Sequence, residues 1–176
     1  MRPAVSASSA SDAWAVGWSE PERYSFLPLG LHWNGTAWSV STSFNTALAG
    51  QIADGVADIS STDAYAIGGG LGSAPYGIVA QWNGTTWTKL TVRVPPDDDT
   101  TNFDAISADS PQDVWIVGSY LATLASGLGA FGTYALHWNG SAWSVISMPA
   151  NPSGIEYQIS NDTGRLGCPG RRVYRQ

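Results

Sequence analysis

Short stretches of alternating or apolar residues follow one another along this chain, separated by polar turns. Three apolar runs each begin with aspartate, at Asp12–Gly17, Asp63–Gly68 and Asp113–Gly118, and the aspartates are 51 and 50 residues apart. A short alternating stretch precedes each run, and a Trp-Asn-Gly-x-x-Trp segment follows it. Period-2 alternation and short apolar runs rich in β-branched and aromatic residues are typical of β-strands. The pattern therefore predicts three repeats of one β-structured unit.

Each repeat is predicted to form the four strands of an antiparallel meander. The second strand is the apolar run, which is apolar on both faces as expected for a sheet packed between two others. The first strands are predicted at Val5–Ser8, Val56–Ser60 and Phe103–Ser107, the third at Gly30–Trp33, Ile78–Trp82 and Tyr134–Trp138, and the fourth at Trp38–Val40, Trp87–Leu90 and Trp143–Ile146. Variable loops are predicted between second and third strands, at Trp18–Phe26, Gly69–Tyr76 and Ser119–Thr133.

The Trp-Asn-Gly-x-x-Trp segments are predicted to be the tips of β-hairpins. They occupy residues 33–38, 82–87 and 138–143. Asn-Gly is favoured in a two-residue type I′ turn, because both central residues of that turn have positive φ. In such a turn Trp33 would pair with Thr36, and Leu31 with Trp38. Both tryptophans would then lie on one face of the sheet, diagonal to each other.

Four-stranded units of about 50 residues that stack face to face are the blades of a β-propeller. The predicted fold class is therefore all-β, a β-propeller fragment of three four-stranded blades plus the first strand of a fourth. Blade 1 is assigned to residues 1–46, blade 2 to 47–95 and blade 3 to 96–150. Repeated aromatic residues are predicted to fill the space between blades; they are Trp14, Trp33, Trp38, Tyr65, Trp82, Trp87, Trp115, Trp138 and Trp143.

The end of the chain breaks the repeat. Residues 151–163 match the opening of a fourth unit, and residues 164–176 form an irregular tail in which the apolar run does not recur. The segment Arg165–Pro169 can be encoded so that a one-base shift gives Val-Trp-Ala-Val, the expected motif. We therefore interpret the tail as out-of-frame translation of blade 4, and the chain as a fragment of a longer propeller. Propellers typically contain about four to eight blades, so three do not close a ring.

Charge is low and unevenly distributed. Charged residues make up 12% of the chain, and the net charge is −6. Residues 1–163 contain 14 acidic and 4 basic residues, whereas the tail contains four arginines and the single Cys168. An acidic body argues against a nucleic-acid partner. The sequence has no run of 18 apolar residues, so no membrane insertion is predicted.

The repeat pattern Asp-x-Trp-Ala-Val-Gly, followed by His-Trp-Asn-Gly-Thr-x-Trp-Ser, resembles repeats of large secreted bacterial β-propeller proteins. It is also similar to the Asp-box hairpin of sialidase-like and photosystem-assembly-factor-like propellers. The turn glycine of that box corresponds to Gly35, Gly84 and Gly140, and its final tryptophan to Trp38, Trp87 and Trp143. The box aspartate is replaced by asparagine, and its serine is absent. The resemblance implies a propeller in an extracellular or cell-surface protein, but no particular activity, because propellers host many functions.

The resemblance to sialidases would imply three arginines around a carboxylate. Residues 1–163 contain only Arg2, Arg23 and Arg93, at unrelated repeat positions. We therefore predict no catalytic site in this chain. No cofactor is predicted either, and the clustering of ligands that a metal site needs is not seen.

Two sets of polar residues recur in the repeats. His32 and His137 take equivalent positions, and we interpret them as polar residues between blades or at an edge, on the strand face opposite the hairpin tryptophans. An aspartate precedes each second strand, and we interpret it as a turn residue that accepts hydrogen bonds from nearby backbone N–H groups. Those aspartates are Asp12, Asp63 and Asp113.

The loops between second and third strands vary while the strands repeat, which suits a binding surface. Candidate ligand contacts in these loops are Trp18, Arg23, Tyr24, Tyr76 and Tyr120, although each could instead pack within its own loop. The predicted function is a non-enzymatic binding or structural module of a secreted or cell-surface bacterial protein, with carbohydrate or protein as ligand. The alternative is a fragment of a sialidase-like or glycoside-hydrolase-like propeller whose catalytic residues lie in missing blades.

Self-association is a third expectation. Blades without neighbours expose apolar faces and unpaired strand edges, which are templates for association. Two copies of three blades could supply a six-bladed ring.

Overall fold

The computed structural model describes residues 3–22, 25–70, 77–92, 100–123 and 129–148. Within these ranges the chain forms twelve β-strands and one short helix, α1 (Thr42–Ala47). The first four strands are β1 (Ala4–Ser9), β2 (Asp12–Glu22), β3 (Ser25–Trp33) and β4 (Trp38–Val40). They are followed by β5 (Gln51–Ser60), β6 (Asp63–Gly70), β7 (Ile78–Trp82) and β8 (Trp87–Leu90), and then by β9 (Thr100–Ser110), β10 (Asp113–Thr123), β11 (Gly129–Trp138) and β12 (Trp143–Ser147).

Each set of four consecutive strands forms one antiparallel meander: β1 to β4 make blade 1, β5 to β8 blade 2, and β9 to β12 blade 3. The first strands lie next to one another, since β5 contacts β1 on one side and β9 on the other. Stacked four-stranded sheets with neighbouring first strands are the arrangement of propeller blades. The predicted all-β fold with three four-stranded blades is therefore confirmed. Residues 151–176, with the predicted strand of blade 4 and the tail, lie outside the described residues.

Apolar side chains fill the two spaces between the blades. Along β6, Ala64 and Ala66 point toward blade 1 and pack in one cluster with Trp14. Their neighbours Tyr65 and Ile67 point the other way, into the cluster shared with blade 3. Successive strand residues alternate between the two faces of a sheet. The middle blade is therefore apolar on both faces.

Two of the predicted loops are largely strand, so that part of the prediction is wrong. β2 continues to Glu22 and β3 begins at Ser25, with Trp18 paired to Pro28. β10 and β11 likewise pair as far as Thr123 and Gly129. In each of these extended hairpins, the backbone N–H and C=O groups of one strand bond to those of the other strand. The segments therefore form paired strands rather than loops. Of the third predicted loop, residues 71–76 lie outside the described residues.

The hairpin tips are four-residue loops, so the predicted two-residue turns are wrong. In the first tip, Asn34 Oδ1 accepts hydrogen bonds from the backbone N–H groups of Thr36 and Ala37, both at 3.0 Å. This local side-chain bonding competes with the type I′ turn. Trp33 therefore pairs directly with Trp38, with ring centroids 5.7 Å apart, instead of lying diagonal to it. The same register joins Trp82 with Trp87 and Trp138 with Trp143.

Each tip is anchored on the turn between the first and second strands of its own blade. The indole Nε1 of Trp33 donates to the carbonyl of Ala10 at 3.1 Å. Equivalent bonds join Trp82 to Ser61 and Trp138 to Pro111. Gly35 has a φ of +90°, and a Cβ there would lie 2.8 Å from Ser11 Cβ. The glycine of the motif is thus required by the close approach of the turn as well as by its own conformation.

The link between blades 1 and 2 contains a helix that the strand pattern did not predict. Ser41 caps it, since its Oγ accepts a hydrogen bond from Phe44 N–H at 3.3 Å. Phe44 is fully buried and lies over Gly30, where any Cβ would collide with its ring. An isolated helix of six residues is unstable in water. Packing of Phe44 against blade 1 therefore holds α1 in place.

Replacing Asn83 by alanine is expected to lower the free energy of unfolding by about 1 kcal/mol. Alanine removes the two hydrogen bonds that Asn83 Oδ1 accepts from Thr85 N–H and Thr86 N–H, at 3.0 and 2.9 Å. Asn83→Asp keeps an acceptor oxygen and is the matched control. Urea unfolding measures both variants; equal stabilities for the two would show that the Asn83 side chain does not hold the tip.

Candidate functional site

An aromatic pair lies at the end of blade 1 opposite its hairpin tip. At this end of the blade, called the rim here, the last residues of β2 and the first residues of β3 form a paired arm. Glu22 pairs with Ser25 near its tip. Trp18 and Phe26 pack edge to face in this arm, with ring centroids 4.6 Å apart at 83°. Both are half-buried, and neither belongs to the two hydrophobic clusters of the described residues. We call residues 17–22 and 25–29 the rim arm.

The rim arm also carries acidic side chains. Glu20 and Glu22 are exposed and lie on β2 just beyond Trp18. An aromatic face beside carboxylate acceptors combines an apolar platform with hydrogen-bonding groups. This combination can bind a ligand that has both an apolar face and hydroxyl donors.

The structure places only two of the five predicted ligand contacts. Trp18 lies in the rim arm of blade 1. Tyr120 of β10 is half-buried and packs against the cluster between blades 2 and 3, with its ring centroid 6.3 Å from that of Tyr134. The two are therefore held by different packing partners. Arg23, Tyr24 and Tyr76 lie outside the described residues.

The repeated aromatic residues differ in exposure according to their blade. The fully or almost fully buried members are Trp14, Tyr65 and Trp87. At Tyr65 this burial, with a contribution from the nearby Asp63 charge, raises the pKa of the hydroxyl. Partly buried members are Trp33, Trp82, Trp138 and Trp143. The exposed members are Trp38 on blade 1 and Trp115 on blade 3.

Aspartate, tryptophan and histidine form a repeated set on blades 1 and 3. In blade 1, His32 Nε2 donates to Asp12 Oδ1 at 2.7 Å, and the His32 ring stacks on Trp14 with centroids 4.4 Å apart. Blade 3 repeats this arrangement with Asp113, Trp115 and His137, at 2.8 Å and 4.1 Å. Blade 2 has a different pair, in which Gln81 Nε2 donates to the Tyr65 hydroxyl at 2.9 Å. The carboxylate orients the imidazole against the indole in both blades that contain histidine.

The interpretation of Asp12 and Asp113 as turn residues needs correction. The hydrogen bonds of Asp12 go to side chains, His32 and Ser8, and Asp113 bonds the side chains of Trp115 and His137. Backbone N–H groups of the turns are instead bonded by serine. Ser9 Oγ accepts from Ser11 N–H at 3.2 Å, and Ser60 and Ser110 do the same for Thr62 and Gln112. The aspartate has a stronger partner in its own sheet because the second and third strands bring histidine beside it.

Asp58 joins the first strands of blades 1 and 2. Its Oδ2 accepts a hydrogen bond from Ser8 N–H, and its own N–H donates to Ser6 Oγ, both at 3.0 Å. The Oδ1 atom is buried without a hydrogen-bond partner. Burial raises the pKa of the Asp58 carboxyl, with repulsion from Asp12 adding to the effect. A carboxylate in this place therefore costs stability in its charged form.

Stability is expected to depend on pH through Asp58. Its folded-state pKa lies above the ordinary value of 3.8, so the folded state binds more protons and stability falls as pH rises through this window. Asn at this position keeps an acceptor for Ser8 N–H but cannot become charged. The stability of Asp58→Asn relative to the wild type is therefore expected to increase from acidic to neutral pH. Urea unfolding at a series of pH values measures it, and a constant difference between the two proteins would contradict the account.

The described ranges contain neither a metal-binding cluster nor a membrane-spanning helix. Among those residues, no group of three or more His, Cys, Asp or Glu side chains is placed to hold a metal ion. The described part of the chain also contains no helix of the length and apolarity that a membrane span requires. Arg2, Arg23 and Arg93, the arginines of residues 1–163, lie outside the described residues. No finding favours the glycosidase alternative.

Comparison with solved structures found a similar protein. The chain is similar to a fucose lectin from Kordia zhangzhouensis, whose structure was determined in complex with methyl-fucoside. The TM-score is 0.49 and the sequence identity 15%, over 84% of this chain and 99% of that chain. No family model matches the chain, and a search of curated proteins gave no match.

Proposed function

We propose that this chain is a non-enzymatic carbohydrate-binding module of a secreted or surface-attached propeller protein, and that the rim arm of blade 1 contacts the sugar. The observation that carries the proposal is the Trp18–Phe26 pair. Trp18 is the only tryptophan outside the repeat positions, and it packs on Phe26 rather than between blades. It therefore has no role in the interblade clusters, which contain Trp14, Trp82, Trp87, Trp138 and Trp143.

The chemistry of the rim arm supports a sugar as ligand. The indole presents a broad apolar surface that can stack on the C–H face of a pyranose ring. Carboxylates accept hydrogen bonds and donate none, which suits the hydroxyl groups of a sugar. Glu20 and Glu22 follow Trp18 on the same strand. The rigid pairing of β2 with β3 holds these groups on a projecting element, as a binding site requires.

Isothermal titration calorimetry of the full chain against a panel of sugars, from methyl-fucoside to branched glycans, tests the proposal. Trp18→Ala is expected to weaken binding by more than about tenfold, whereas Trp18→Phe keeps an aromatic face and most of the affinity. Absence of any sugar binding by the wild type overturns the proposed function. Binding that Trp18→Ala leaves unchanged overturns the assignment of the rim arm.

A further inference from the structure

The stack of three blades has two sheet faces without a neighbouring blade among the described residues. End face 1 is the side of blade 1 that points away from blade 2, and it includes Val5, Trp33 and Trp38. End face 3 is the side of blade 3 that points away from blade 2, and it includes Trp115 and His137. These assignments follow from strand alternation and from the residues that fill the two interblade clusters.

Residues on the end faces are more exposed than residues at the same repeat positions inside the stack. On the side of end face 1, Val5 is 70% exposed, whereas Val56 and Ile106 at the same repeat position are 6% and 3% exposed. Trp38 is 47% exposed, against 4% for its equivalent Trp87.

On the side of end face 3, Trp115 is 40% exposed, whereas Trp14 and Tyr65 are each 1% exposed. Both end faces therefore have residue types that are buried or partly buried where a neighbouring blade is present.

The internal interfaces also show which residues meet. Trp14 of blade 1 packs on the hairpin pair of blade 2, with centroids 5.0 Å from Trp82 and 4.9 Å from Trp87. Tyr65 of blade 2 packs in the same way on Trp143 of blade 3. In each case the aromatic residue of a second strand packs on the hairpin of the next blade.

End face 3 carries an aromatic residue of a second strand, and end face 1 carries a pair of hairpin tryptophans. Trp115 stands where Trp14 and Tyr65 stand, already stacked on His137. Trp33 and Trp38 stand where Trp82 and Trp87 stand. We propose that end face 3 docks onto end face 1 of a second copy of this chain, so that Trp115 of one copy packs on the hairpin pair of the other.

Polar residues along the first strands fit this head-to-tail contact. Between blades 1 and 2, Asp58 N–H donates to Ser6 Oγ. By repeat position, Ser107 of one copy would take the place of Ser6, and Ala7 of the other the place of Asp58. Asp109 of the first copy would also face Ala7 of the second copy, in the place where blade 2 has Asp58. No second carboxylate therefore lies opposite Asp109. The contact therefore brings together no like charges at these positions.

The contact joins two different faces, so it repeats until a ring closes. Two copies contribute six blades, which lies within the range of about four to eight found in propellers. A pair of identical contacts then covers all four end faces. The expected species is a closed dimer with about twice the 18.6 kDa mass of one chain.

Sedimentation velocity over a wide range of protein concentration tests the proposal. Trp115→Arg and Trp38→Arg each disable one end face on every copy, and each is expected to weaken dimerisation by more than about thirtyfold, which corresponds to about 2 kcal/mol. An equimolar mixture of the two variants is expected to associate again, because the intact end face 3 of one meets the intact end face 1 of the other. Val145→Arg is the control, since Val145 is exposed but lies on the blade 2 side of its sheet.

Circular dichroism verifies that the variants remain folded. A contact between identical faces predicts that one of the two variants stays dimeric and that mixing adds nothing. That result overturns the head-to-tail proposal. So does a wild-type chain that is monomeric at every concentration.

Discussion

Replacing Trp14 by alanine is expected to lower the free energy of unfolding by about 3–5 kcal/mol, the largest effect of any single substitution considered for this chain. Trp14 is 1% exposed and packs on His32 of its own blade and on two tryptophans of blade 2. Alanine leaves a cavity between the blades and removes the surface on which three other rings pack. Urea unfolding measures the loss.

Trp14→Phe is the matched control for this effect. Trp14 Nε1 is buried without a hydrogen-bond partner, so phenylalanine removes an unpaired donor while keeping an aromatic ring in place. Its cost is expected to be below about 2 kcal/mol, since the cavity is smaller. Similar losses for alanine and phenylalanine would contradict the role given to ring packing at this interface.

The second large effect is expected at Gly118, where alanine should cost about 2–3 kcal/mol. A Cβ at Gly118 would collide with the Asn102 carbonyl and lie 2.7 Å from the Tyr134 hydroxyl. The strand β9 has a bulge opposite this glycine, where the register shifts between Val117 and Gly118. Bulged backbone approaches its partner closely and leaves no space for a side chain.

Gly17 is the matched control, because it has the same repeat position in blade 1. There the nearest atom to an added Cβ is Pro3 Cβ, at 3.8 Å, which is ordinary contact distance. Gly17→Ala is therefore expected to change stability by less than about 0.5 kcal/mol or to raise it slightly. Thermal or urea unfolding of both variants provides the comparison. Equal losses at Gly17 and Gly118 would contradict the argument from the bulge.

The blade architecture could be predicted because the sequence repeats its strands, turns and aromatic residues together. The recurrence of Asp-x-Trp or Asp-x-Tyr and of Trp-Asn-Gly at a spacing of about 50 residues predicts the order of the twelve strands in the described part of the chain. Apolar residues on both faces of the second strands indicated stacking, and β6 shows it directly with Ala64 and Tyr65 on opposite faces. Local propensity and tertiary packing agree in these elements.

The predictions that were wrong concern places where alternative local interactions compete. At Asn34 the side-chain amide bonds two backbone N–H groups, which favours a four-residue loop over the turn that Asn-Gly alone predicts. The sequence does not predict the partner of Asp12, because the strand pairing that brings His32 beside it is a tertiary feature. One signal was present in the sequence: histidine accompanies Asp-x-Trp in repeats 1 and 3, whereas Gln81 accompanies Tyr65 in repeat 2.

The candidate site was harder to predict than the fold. Trp18 was identified because it lies outside the repeats, but its partner Phe26 was assigned to a loop rather than to a paired strand. The bulges that position Gly68 and Gly118 have no sequence signature besides the glycines themselves. The sequence does not predict helix α1, because six residues are too few to show a helical period.

The most direct test of the stacked blades is the oxidation rate of equivalent tryptophans, measured by peptide mass mapping after N-bromosuccinimide treatment. The variant Trp115→Arg is used so that no second copy covers end face 1. Trp38 is expected to react much faster than Trp87, although both end the same hairpin motif, because only Trp87 has a preceding blade beside it. Trp14 is expected to be protected as well. Equal rates for Trp38 and Trp87 would contradict the stacking of blade 2 on blade 1, and with it the account of the end faces.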